Sequence, residues 1–146
     1  MRIMAALFIL AAFALTACEK PGQAERQAVL YKSPDCRCCE EYAKYLRENG
    51  FRVKVIATQD LPATKKEHGV PEAQEGCHTT LIGGYVVEGH VPMSAINKLL
   101  TERPVIKGIT LPGMPAGSPG MTGEKTEPFT IYEISNEAEP KVFARE

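Results

Sequence analysis

Apolar positions along this chain follow two alternating rhythms, one of period two and one of period three to four. Residues 28–32 form a short apolar run of the kind that makes a strand, and Ser33-Pro34-Asp35 is a turn and helix-start signal. From Cys36 the rhythm is helical. Cys39, Tyr42 with Ala43, and Leu46 recur at three- and four-residue spacing, and Asn49-Gly50 ends the helix. Phe51, Val53 and Val55 then alternate with Arg52 and Lys54, which predicts a second strand. Asp60 is placed to cap a short helix running to Gly69. Residues 79–82 and 85–87 predict two strands joined by Gly83-Gly84, a dipeptide suited to a tight hairpin turn. Pro92 opens a last helix whose apolar stripe is Ile96, Leu99 and Leu100. Beyond Pro104 the composition shifts to a Gly/Pro-rich loop at 111–123, followed by a further hairpin at 129–134 and 141–144.

Strand, helix, strand, helix, strand, strand, helix is the element order of thioredoxin and glutaredoxin: a parallel βαβ half, then a β-hairpin and a helix. The expected fold is therefore α/β and thioredoxin-like, with a C-terminal Gly/Pro/Met loop and an extra β-hairpin. Its expected divisions are a signal segment at 1–17, a polar tether at 18–27, a metal-binding domain at 28–104 and an extension at 105–146. A chain of 146 residues has room for one core of this kind.

The N-terminus adds an address. Arg2 precedes an apolar run at 3–15, shorter than the about 20 residues a spanning helix needs, so the run reads as a signal peptide. Leu15-Thr16-Ala17-Cys18 resembles the bacterial lipoprotein signal, which implies a lipid on Cys18 and tethering at the periplasmic face of a membrane. Glu19 is not the aspartate that holds many such proteins at the inner membrane, so the outer membrane is favoured. Charge changes little: 17 basic against 18 acidic residues, with no tryptophan, leave no electrostatic or stacking footprint for nucleic acid.

The chemistry lies in the cysteines. Cys36-Arg37-Cys38-Cys39 falls at the start of the first predicted helix, where amides and the macrodipole stabilise a thiolate. Cys36 and Cys39 share a helix face, and Cys38 is within reach of an ion held by the other two. If Gly83-Gly84 forms a two-residue turn, pairing runs back until Cys77 faces His90. In thioredoxin-like proteins the start of this strand abuts the cysteine helix through a threonine and a cis-proline. Here Gly76-Cys77-His78-Thr79 occupies that place, so Cys77 is expected beside the helix cysteines, with His90 across from it and His78 next to it.

Two accounts of the cluster are open. One is a redox disulfide between Cys36 and Cys39 with Cys38 a spectator, making the protein a thiol-disulfide oxidoreductase. The favoured one is a thiolate cluster of Cys36, Cys38, Cys39 and Cys77, assisted by His90 and by His78, unless His78 faces outward as strand alternation allows. Soft thiolates select Cu(I), and the crowded C-x-C-C suits several ions, whereas structural zinc, the alternative, uses well-separated pairs. Met114 and Met121, carried on the Gly/Pro loop, add thioethers that tilt the choice towards copper. His68, beside Gly69 at a helix end, reads as a helix-terminal charge and not a ligand.

Tyr31-Lys32-Ser33-Pro34 with C-x-C-C, Gly76-Cys77-His78-Thr79, the segment from Gly84 to Pro92, and Leu111-Pro112-Gly113-Met114-Pro115 through Met121 resemble the CopG-type periplasmic copper-resistance proteins. The resemblance runs from Ala28 to the C-terminus. It implies a thioredoxin-like fold and copper binding through the C-x-C-C and later cysteines. It also implies a role in copper tolerance alongside other periplasmic copper-handling proteins, including a change of copper oxidation state. Family members often carry glycine where Arg37 stands, a difference that removes no ligand.

Overall fold

A computed structural model describes residues 26–146. The signal segment, Cys18 and nearly all of the tether lie outside the described residues. Among the described residues no helix is long and apolar enough to cross a membrane.

The described residues build one seven-stranded sheet with three α-helices. In chain order the elements are β1 (Gln27–Lys32), α1 (Arg37–Glu48), β2 (Arg52–Ala57), α2 (Leu61–Glu67), a 3-10 turn (Glu72–Gln74), β3 (His78–Ile82), β4 (Tyr85–Gly89), α3 (Met93–Glu102), β5 (Gly108–Leu111), β6 (Thr130–Glu133) and β7 (Val142–Arg145). The strands lie in the order β2-β1-β3-β4-β5-β6-β7. Strands β1 and β2 are parallel, β3 and β4 form the antiparallel hairpin, and β6 with β7 forms the second hairpin, all as the sequence pattern predicts.

Local chemistry explains the ends of these elements. The Asp60 carboxylate accepts the Ala63 amide hydrogen at 3.0 Å and so caps α2. Asn49 closes α1, and Gly50 follows at φ +88°. Gly83 and Gly84 take φ +57° and +88°, the left-handed pair that a two-residue hairpin turn requires, and Ile82 therefore pairs with Tyr85. On α1 the residues buried are Cys39, Tyr42, Ala43 and Leu46, the predicted stripe. They pack with Leu30, Ile82, Val87, Ile96, Leu99 and Ile109, each at most 1 % exposed, in the main core.

One strand departs from the expectation. Residues 108–111 form β5, parallel to β4 across the α3 crossover, and β6 pairs antiparallel to it. The C-terminal residues thus continue the same sheet, and the second hairpin hangs from the hairpin core through β5.

Candidate metal centre

Strand β1 ends at Lys32, which pairs with His78 of β3 in the antiparallel register. The chain then turns, the Cys36 amide donating to the Ser33 carbonyl at 3.1 Å, and enters α1 with Cys36 as its cap residue. The buried Lys32 ammonium fastens this turn. It donates to the Ser33 and Pro34 carbonyls at 3.1 and 2.9 Å and pairs with Glu40 of α1 at 3.0 Å. Across from it Cys77 sits one residue ahead of β3, where strand alternation does not bind its side chain, and it turns towards α1.

Four sulfur atoms meet there. Cys36 Sγ is 3.5 Å from Cys38 Sγ, and Cys77 Sγ is 3.6 Å from both Cys38 Sγ and Cys39 Sγ. The ligand atoms of all four lie within 4.8 Å of one another, and so do those of Cys77, His78 and His90. Cys77 belongs to both groups. Its sulfur is 2.9 Å from His90 Nε2 and 3.4 Å from His78 Nδ1. The facing of Cys77 and His90 read from the Gly83-Gly84 turn is therefore met at atomic distance.

Cys36 and Cys39 are joined as a disulfide, while Cys38 and Cys77 are free thiols. This is the pair named in the redox alternative, and one turn of helix holds its two Cα atoms 5.4 Å apart, inside the usual disulfide range.

Both histidines are fully buried, His78 included, so the outward-facing alternative for His78 is not the one adopted. Its ring packs 4.5 Å from the Tyr42 ring and 4.8 Å from that of His90. Burial, with smaller contributions from His90 and Lys65, holds His78 well below the ordinary imidazole range, and burial likewise lowers His90. Neutral imidazoles keep a lone pair for a metal. Among the described residues His78 Nε2 has no hydrogen-bond partner, an orphan of the kind that a bound ion or water satisfies. Burial first, then the neighbouring Cys38, pushes the Cys77 thiol up to about 12, so without a metal it keeps its proton. Four sulfurs and two neutral imidazoles in this volume fit a soft metal, with the Cys36–Cys39 pair able to donate fully only as the dithiol.

The remaining candidates are dispersed. Met121 lines an open cleft of about 670 Å³ with Arg37, Cys38, Glu41, Gly120 and Thr122. Met114 is 41 % exposed and is not part of that lining. His68 is the C-terminal cap residue of α2 with its ring 5.4 Å from that of Tyr31, and it joins neither donor group.

Sequence reasoning missed the polar frame beneath the site. Glu88 of β4 is fully buried, pairs with the buried Lys65 of α2, and accepts from Thr79 Oγ1 and from the Gly76 amide, both at 2.7 Å. Gly76 and Thr79 bracket Cys77 and His78, so this pair anchors the segment that carries them. Also missed was the Pro119 carbonyl, 2.6 Å from His90 Nδ1.

Comparison with known proteins agrees with the geometry. A family described as protein of unknown function DUF411 matches residues 74–121, which hold Cys77, His78, His90 and Met121 but not the C-x-C-C segment. Two solved structures of copper resistance protein CopG, forms 2 and 1, are each 36 % identical to the chain. They cover 82 % of it and 97 % and 96 % of their own lengths, with TM-scores of 0.74 and 0.73. No curated protein sequence matches.

Proposed function

The chain belongs to the CopG-type copper-resistance family, and we propose that it holds Cu(I) for copper resistance as a lipoprotein, tethered through Cys18 at the periplasmic face of a membrane. Cys36, Cys38, Cys39 and Cys77 supply the thiolates, and His90 and His78 complete the donor set. The observation that carries this function is the convergence of four sulfurs within 4.8 Å, with two buried imidazoles on Cys77. Copper is the cargo. Met121, beside Cys38 in the open cleft, is placed to feed the cluster or cover it; Met114 would act only from the outer part of the loop.

The site also suits redox exchange with its cargo. Oxidising the Cys36 and Cys39 thiols to their disulfide releases two protons to solvent and two electrons; the electrons reduce two Cu(II) to two Cu(I), and the reverse reaction takes up two protons and two electrons from two Cu(I). The disulfide in the structure favours a second reading, thiol-disulfide exchange with protein substrates through Cys36 and Cys39. Reduction of insulin by dithiothreitol separates the two: turnover by the metal-free protein supports exchange, and none supports copper handling.

Replacing Cys77 by Ser tests the shared site. Cu(I) affinity of the reduced protein should fall at least about 100-fold with an unchanged circular dichroism spectrum. Unaltered stoichiometry and affinity would mean that Cys77 is no ligand. For the anchor, intact mass of membrane-extracted protein should show a diacylglyceryl or triacyl addition on Cys18, and an unmodified soluble mature form would refute it.

A further inference from the structure

His90 touches the cysteine cluster through one ring nitrogen and the C-terminal loop through the other. Its Nδ1 lies 2.6 Å from the Pro119 carbonyl oxygen. A carbonyl only accepts, so Nδ1 carries the hydrogen, and Nε2, 2.9 Å from Cys77 Sγ, presents its lone pair to the cluster. The Tyr42 ring, edge-on to the imidazole at 5.4 Å, limits its rotation.

The turn that brings Pro119 there is tightly built. Met121 donates its amide to the Ser118 carbonyl at 2.8 Å, and Ser118, 1 % exposed, sends its hydroxyl to the Pro115 carbonyl at 2.7 Å. Gly120 then lies directly on α1 at φ +83°. A Cβ there would be 2.8 Å from the Tyr42 amide nitrogen and 3.1 Å from the Cys38 carbonyl oxygen. Only glycine lets the turn come this close, for reasons of both conformation and space.

We propose that the 118–121 turn is a positioning element of the metal centre: the Pro119 carbonyl fixes the tautomer and orientation of His90, and Gly120 is the residue that allows the contact. The proposal rests on reading the cluster as a metal site. It extends that reading by giving a backbone group of the C-terminal loop the part that a carboxylate or carbonyl plays behind a metal-bound histidine. Displacing the turn would leave His90 free to rotate or to move its hydrogen to Nε2, and either change removes the donor from Cys77.

The test uses the full chain and two readouts. Nitrogen-15 NMR of histidine in the metal-free protein, with His90 assigned through His90→Ala, should show hydrogen on Nδ1 alone in the wild type. In Gly120→Ala it should show a tautomer mixture. Cu(I) competition should show Gly120→Ala weaker by about 10- to 100-fold, with no further loss when it is added to His90→Ala. A wild-type His90 protonated on Nε2, an unchanged tautomer in Gly120→Ala, or losses that multiply in the double variant would each overturn the proposal. Should Gly120→Ala not fold, Ser118→Ala loosens the same turn by one hydrogen bond and is read by the same spectrum. A wild-type protein that takes up no copper yet holds the Nδ1 hydrogen would refute the metal reading and leave the positioning contact standing.

Discussion

Replacing Lys65 by Met removes the cation that pairs with a fully buried carboxylate. Lys65 and Glu88 have side chains 3 % and 0 % exposed and pair directly, so solvent does little to screen them. Without the ammonium, Glu88 is left, among the described residues, with the Thr79 hydroxyl and the Gly76 amide. Breaking a buried pair in this way typically costs about 3–5 kcal/mol, a large part of the about 5–15 kcal/mol that holds a domain folded. Burial already raises the Glu88 pKa and Lys65 is the first influence opposing it, so in the variant it rises further. A folded carboxyl whose pKa exceeds its unfolded value of about 4.3 holds its proton more tightly when folded. The variant therefore loses stability as pH rises through the window between those two values, and its deficit against the wild type is smallest near pH 4. Urea unfolding at pH 4 and pH 7.5 measures this, with Lys65→Met/Glu88→Gln as the second variant. The double variant should be more stable than the single one at pH 7.5, because no charge is left unpaired. A loss below about 1 kcal/mol, as for an exposed pair, or one equal at both pH values, would refute the assignment of a buried ion pair.

Tyr42→Phe should cost about 1–3 kcal/mol by urea unfolding, because the hydroxyl that donates to the Val91 carbonyl at 2.8 Å is lost from a fully buried position. The same variant keeps the ring that packs on His78 and His90, so Cu(I) affinity should stay within a few-fold of wild type. Asp60→Ala should destabilise by about 1 kcal/mol in thermal unfolding, and Asp60→Ser should recover most of it, since either oxygen can cap the Ala63 amide. An Asp60→Ala variant as stable as the wild type would mean that the cap contributes nothing.

What the sequence made legible were features fixed by local rules. A two-residue Gly83-Gly84 turn sets a register, and a register with period two carries through from Ile82–Tyr85 to the Cys77–His90 contact thirteen residues apart. The helical spacing of Cys39, Tyr42 and Leu46 likewise named the buried face of α1. Strand β5 escaped because Gly108-Ile109-Thr110-Leu111 is short, and its pairing with β4 is made across a helix, not through a turn. Lys32, Lys65 and Glu88 escaped for a related reason. Charges in an alternating pattern read as solvent-facing, and only tertiary packing shows them buried against partners as far as 23 residues away. His78 was ambiguous for the same cause: α1 covers its face through Tyr42, while Lys65 of α2 reaches the opposite face at Thr79. The Pro119 carbonyl is a backbone group, and no side-chain pattern announces it.

Anaerobic titration of the reduced, delipidated protein with Cu(I) against a competing chelator, with zinc in parallel, bears most directly on the central claim. The cysteine cluster should take up more than one Cu(I) per chain, tightly and in preference to zinc. Weak copper uptake, or preference for a single zinc ion, would contradict a copper-holding thiolate centre.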